Sequence, residues 1–307
     1  MVDLDFVRIE FDIATDIPTL LLPELFSCLR SFEMHFKSLS CRAHNMAKCS
    51  MSVFCSECPY KIVFGQELSP DPEIIRNHQK PSLPFSLYID SVDDNILSTT
   101  VGLTVIGLAI DYLEIFYSAL KLLIVTSAEI SLNIRQYKLT VYCLDYHSVR
   151  YEISDATSFR ESIILLSAQN IVHNSVTSDS IKIILKSPLR LLQNGAIAHY
   201  FDFATFFRSQ LRRCSSLYSY YGTGRLDLDF VALSMAANNV INLKDGVHFT
   251  SLKLTDKLFK NRGLLGTAEY DGLIQEMSSL LILGSYFNAG KSAAFGFGFY
   301  KVEVIND

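Results

Sequence analysis

The 307-residue chain has room for one large or two small domains, each able to bury a core of its own. Apolar residues make up 49% and charged residues 19%, a balance that excludes a disordered polymer. A net charge of −5 excludes a wholly basic nucleic-acid coat, yet residues 181–307 hold 14 Lys+Arg against 10 Asp+Glu, leaving 13 against 22 before them. That asymmetry points to an anion-binding face on the C-terminal half.

Val2 to Ile13 alternates loosely between polar and apolar residues, as a half-buried strand does. Its acids at Asp3 and Asp5 stand where a signal peptide carries lysine or arginine, which predicts a cytoplasmic protein. Pro18 and Pro23 then introduce a helix, Leu25 to Lys37, with one apolar stripe formed by Leu25, Phe26, Leu29, Phe32 and Phe36. Four of the seven cysteines, Cys41, Cys49, Cys55 and Cys58, follow within 18 residues, and the odd total disfavours a complete disulfide framework. Cys55 and Cys58 make a zinc-knuckle-like half; Cys41 with Cys49, or His44, would complete a structural zinc site, the alternative being free thiols.

A proline-rich loop leads to predicted strands at Phe85 to Ile89 and Thr99 to Ile110, whose apolar run is too short to span a bilayer. A helix over Asp111 to Ile124 and a hairpin over Gln136 to Ile153 complete a strand–helix–strand–strand–helix–strand order. A polar stretch, Asn170 to Ser180, separates the halves. Beyond it the pattern predicts a strand at Ile181 to Leu185, helices at Phe201 to Tyr221 and Leu226 to Asn238, and strands at Gly246 to Lys253 and Gly263 to Tyr270. A helix over Leu273 to Leu283 and a last strand over Ala293 to Val304 end the chain. The fold class read from this order is α+β, two tandem ferredoxin-like (RRM-like) domains at 1–175 and 181–307, the first with a cysteine-rich insertion.

The segment Gly290-Lys291-Ser292-Ala293-Ala294-Phe295-Gly296-Phe297-Gly298 is the sharpest local feature. Its glycines permit positive φ and close backbone approach, and Lys291 adds charge, a combination suited to a phosphodiester. It is not a nucleotide-binding P-loop: five residues separate Gly284 from Gly290 where four are needed, and a strand rather than a helix is predicted to follow.

This segment resembles the glycine-rich signature of the CRISPR-associated endoribonucleases of the RAMP superfamily that cut precursor CRISPR RNA within its repeats. Gly263-Leu264-Leu265-Gly266, Ser187-Pro188-Leu189-Arg190 and Leu211-Arg212-Arg213 resemble further recurring pieces. Leu29-Arg30, with a cysteine cluster closing in Cys58-Pro59-Tyr60, is similar to the branch with a cysteine-bearing first domain. Two departures stand out: Asn288 occupies the place of a histidine found in many relatives, and Lys253 that of an arginine-bearing strand.

The resemblance implies cleavage without a catalytic cofactor, by attack of the ribose 2′-OH on the adjacent phosphate, leaving a 2′,3′-cyclic phosphate and a 5′-hydroxyl. It also implies that the protein stays on the 3′ hairpin of the product, beside other subunits of a CRISPR effector complex. The alternatives are a catalytically inactive hairpin-binding subunit and a backbone subunit. In the family the base is often a histidine shortly after the first helix, a place held here by His44, with Lys48 one helical turn later. His35 is the runner-up and His78 a loop candidate. For RNA contact the candidates are Arg208, Arg212 and Arg213, then Lys253, Lys260 and Arg262, and in the loop Gly290, Lys291, Ser292, Gly296 and Gly298. The alternation of Phe295, Phe297 and Phe299 reads as core rather than as a base-stacking surface.

Overall fold

The computed structural model describes residues 3–15, 26–41, 58–77, 80–91, 98–128, 137–153, 159–193, 195–224, 226, 228–252 and 261–305. Strand β1 (Asp5–Thr15) lies at the centre of the first sheet, where Val7, Ile9, Phe11 and Ile13 are buried on one face. A 3₁₀ turn at Leu29–Ser31 leads into α1 (Phe32–Ser40), whose Phe32 and Phe36 supply the buried stripe that the spacing predicts. Two short helices follow, α2 (Pro59–Phe64) and α3 (Pro72–Asn77), and then β2 (Phe85–Ser91) and β3 (Ser98–Ile106).

The next helix, α4 (Leu113–Thr126), presents Leu113, Phe116, Leu120 and Leu123 to the same core. Phe116 packs at 4.8 Å from Phe36 and 5.4 Å from Phe85, so two helices and the sheet meet around aromatic rings. Strands β4 (Tyr137–Leu144) and β5 (Arg150–Glu152) form the hairpin, and the path across the sheet runs β2-β3-β1-β4-β5, antiparallel throughout. The order of the first four is that of a ferredoxin-like sheet. A short strand, β6 (Leu166–Ser167), pairs with the start of β1. A helix follows, α5 (Ala168–Asn174), capped by the Ser167 side chain, and it takes up the start of the polar stretch between the halves.

The second half repeats the plan. Strand β7 (Ile181–Leu189) is followed by a ribbon of β8 (Leu192–Gln193) and β9 (Ala196–Ile197), then by the long helix α6 (Phe203–Tyr221). Asp202 caps that helix by accepting from the Thr205 N–H at 2.8 Å. Helix α7 (Phe230–Ala236) is shorter than its pattern suggests. Strands β10 (Ile241–Asp245), β11 (His248–Leu252) and β12 (Asn261–Asp271) follow, then α8 (Gln275–Ser285) and β13 (Tyr300–Val304). The order β10-β12-β7-β13 is again ferredoxin-like, with β11 pairing beside β12. Strand β10 is exposed along its whole length, so the alternation of Ile241 and Leu243 with Asn242 and Lys244 buries neither apolar residue.

The last strand begins only at Tyr300; the predicted strand from Ala293 is replaced up to Gly298 by consecutive turns. The physical reason is positive φ at Ser292 (66°), Gly296 (89°) and Gly298 (64°), which an extended ladder does not tolerate. A third apolar cluster joins the halves: Leu4, Phe6 and Ile106 meet Cys214, Leu217, Leu283 and Phe287, with Phe6 edge-on to Phe287 at 5.2 Å. No described helix is long and apolar enough to cross a membrane.

Candidate nucleic-acid interface

The glycine-rich segment is a joint between the two halves. The Leu87 N–H of β2 donates to the Ala294 carbonyl at 3.0 Å, and Leu87 bridges Phe295 in parallel register. Ala294 and Phe297 are buried in the core of the first half, and Phe297 meets Phe26 edge-on at 4.8 Å. Phe295 and Phe297 of the segment, and Phe299 just after it, are therefore core and near-core residues, as their alternation suggests.

The glycines serve packing. A Cβ at Gly298 would collide with the Ala289 carbonyl, and one at Gly296 would press on Leu29 Cδ1 at 2.6 Å. Backbone donors are committed too: Lys291 N–H donates to Arg190 O at 2.8 Å, Phe295 to Ser292 O at 2.9 Å and Gly298 to Pro188 O at 3.1 Å. Gly290 and Ser292 hold the turn at φ 75° and 66°. Close approach is needed, as the sequence suggests, but it is the protein's approach to itself: Gly296 to Leu29 of the first half, Gly290 to Arg190 and Gly298 to Ala289 within the second. Of this segment Lys291 is the exposed cation.

Asn288, at φ 58°, is fully buried and its amide donates to Leu87 O at 2.7 Å and Ala293 O at 2.9 Å. It is a staple across the joint. Arg213 is a second one and corrects the expectation of an RNA-contacting side chain. It is buried, its Nε donating to Phe287 O at 2.7 Å and its Nη2 to Phe85 O at 3.1 Å. Burial lowers its pKa to about 10. Its neighbour Arg212 points outward and is exposed, while Arg208 is half-buried, bonded to Asn238 at 3.2 Å and 3.9 Å from Asp202.

Around the joint, cations gather. Arg190, at the end of β7, lays its guanidinium over the Phe297 ring at 3.6 Å from the centroid, and its Nε donates to Arg262 O at 2.9 Å. Arg30, just before α1, stands 5.6 Å from the same centroid and donates to Asn261 Oδ1 at 2.8 Å. Burial first, and then the charge of Arg30, lowers the Arg190 pKa to about 10. Arg262 and Lys291 are exposed beside them. Arg190 was visible in the sequence only as part of a motif. Its partner, a phenylalanine more than a hundred residues away, gave no local signal.

Of the proposed acid–base residues, His35 is half-buried on α1, and burial lowers its pKa. His44, Lys48, His78, Lys253 and Lys260 lie outside the described residues, as do Cys49 and Cys55. Cys41 and Cys58 are buried thiols. Among the described residues no group of three or more His, Cys, Asp or Glu converges as metal ligands. If the four cysteines hold zinc, the purified protein carries about one equivalent and Cys58→Ser lowers its melting temperature. Elemental analysis that finds no zinc in anaerobically prepared protein removes the site.

Residues 183–300 match the family model described as CRISPR-associated endoribonuclease Cas6, and residues 4–140 match one described as an N-terminal domain. None of the curated proteins matches at a significant level. Among solved structures, Thermus thermophilus Cas6 (TTHB231) shares 10% identity at a TM-score of 0.53, over 99% of this chain and 100% of that one. A Cas6 (TTHB231) product complex gives 13% and 0.55 over 97% and 99%, and a Cas6 (TTHA0078) product complex 10% and 0.53 over 98% and 100%. At such identities these likenesses are of fold, and they extend along the whole chain. Residues 183–300 are thus similar to the CRISPR-associated endoribonuclease Cas6 family, and the chain shares the fold of solved Cas6 structures along its whole length.

Proposed function

We propose that this protein cuts precursor CRISPR RNA within the repeat by metal-independent attack of a ribose 2′-OH, and stays on the 3′ hairpin as a subunit of an effector complex. The observation that carries the proposal is the crowding of Arg30, Arg190, Arg262 and Lys291 around the joint, beside the helix that bears His35. In the reaction a neutral imidazole, His44 or His35, takes the 2′ proton as the 2′-O–P bond forms. The P–O5′ bond breaks, and the 5′ oxygen takes up a proton from the protonated base or from water. The cations stabilise the extra negative charge on the phosphorane, where preorganised donors act most strongly. Lys48 and the other lysines of the candidate set serve as further phosphate contacts.

Hairpin binding should fall with salt because phosphate contacts release counterions. Arg212→Ala and Lys291→Ala should each weaken binding and reduce the log–log salt slope by about one. Slopes unchanged in both variants would remove these side chains from the interface. Incubating the protein with its own repeat RNA tests the reading as a whole. A single cut within the repeat is the expected result.

A second reading, a hairpin-holding subunit without cleavage, is favoured by one observation. Asn288, where many relatives carry a histidine, has its amide engaged by two buried carbonyls. Tight binding of repeat RNA with no cut would decide for it.

A further inference from the structure

We propose that Arg30 and Arg190, one from each half of the chain, form a bracket at Phe297 that grips a single phosphodiester group of the bound RNA. The proposal rests on the RNA-processing reading for its ligand, but the bracket itself stands on geometry.

Two guanidiniums lie within 5.6 Å of the centroid of one buried ring. The two charges feel each other, the Arg30 guanidinium helping to lower the Arg190 pKa. Each is fixed before any ligand arrives. Arg190 is laid flat on Phe297 and tied through Nε to the Arg262 carbonyl, which sets the direction of its planar fork. Arg30 is tied to Asn261 Oδ1, and Asn261 is fully buried, with an Nδ2 that meets no acceptor among the described residues. The surroundings are thus rich in donors, with the exposed Arg262 and Lys291 adjoining and the Lys291 N–H bonded to the Arg190 carbonyl.

A planar fork held in place is suited to bidentate recognition of a phosphate, and a second guanidinium at the same ring favours an anion over any neutral group. Because Arg30 precedes α1 and Arg190 ends β7, the bracket exists only while the halves are docked through the glycine-rich segment. An anion in it ties them together.

The test has two arms. In the first, thermal unfolding is followed with inorganic phosphate added at constant ionic strength, chloride making up the balance. Wild type should rise in melting temperature with phosphate, while Arg30→Gln and Arg190→Gln should show no phosphate-specific rise. Arg190→Lys, which keeps charge but not the fork, should retain only part of it. In the second, repeat RNAs carrying one neutral methylphosphonate linkage at successive positions are bound to each protein. One linkage should weaken wild-type binding roughly tenfold and have no further effect on Arg190→Gln.

Equal phosphate stabilisation of all variants would overturn the bracket, as would additive effects at every linkage, and either leaves the RNA-processing reading standing. Phosphate-specific stabilisation of wild type that is lost in the variants, in a protein that binds no repeat RNA, would uphold the bracket and overturn that reading instead.

Discussion

Arg213→Ala is expected to lower the free energy of unfolding by about 3–5 kcal/mol, because it strands two buried carbonyls and opens a cavity. The carbonyls belong to Phe85 in the first half and Phe287 in the second, so the loss loosens the joint as well as the core. Burial pulls the Arg213 pKa down to about 10, below its ordinary value, so the charge itself opposes folding at neutral pH. The two hydrogen bonds offset that cost. Arg213→Lys should recover about half the loss, since one ammonium replaces the fork imperfectly. Arg212→Ala, one residue earlier and exposed, should change stability by under about 0.5 kcal/mol while weakening RNA binding. Urea unfolding measures all three. Equal stabilities of the Arg213 and Arg212 alanine variants would contradict the buried staple.

The second large effect is on cleavage. Replacing the general base with alanine should slow cutting roughly 10²–10⁴-fold and leave hairpin affinity nearly intact, since a neutral imidazole adds little to a contact dominated by phosphate charge. His44→Ala is the first variant to make and His35→Ala the second. The pH profile separates them further. Burial lowers the His35 pKa, so its neutral, proton-accepting form persists below the ordinary histidine range of about 6.5. A rate governed by His35 therefore stays level as pH falls through that range and drops only beneath it. The stability linkage has the same sign: charging His35 is disfavoured in the folded state, so its effect appears as a loss of stability on acidification. Full activity in both single variants would exclude both histidines. Loss of RNA binding in step with activity would mark the residue as structural.

Much of this fold can be read from the sequence by its periods. Val7, Ile9, Phe11 and Ile13 alternate as β1 does, and Leu113, Phe116, Leu120 and Leu123 mark one face of α4. The repeated order of elements then leads to two ferredoxin-like sheets. The joint was harder. Glycine spacing reports that something comes close to the backbone at 290–298, and nothing local says whether that is a phosphate or Leu29, Ala289 and Arg190. Arg213 did leave a trace: it lies at i+3 and i+7 from Gln210 and Phe206 and four before Leu217, all buried on α6. Helical register thus separates it from Arg212, where charge alone groups the two. The bracket at Phe297 depends on contacts between residues far apart in sequence, and periodicity carries no such information.

The central claim is that the RNA supplies its own nucleophile and the protein supplies base and charge. It is tested most directly with repeat RNA carrying a single 2′-deoxy nucleotide immediately 5′ of the cut, compared with the unmodified RNA, both in excess EDTA. The account predicts that unmodified RNA is cut in EDTA to a 2′,3′-cyclic phosphate and a 5′-hydroxyl, and that the 2′-deoxy RNA binds equally well and is not cut. Cutting of the 2′-deoxy RNA, or abolition of all cutting by EDTA, would contradict it.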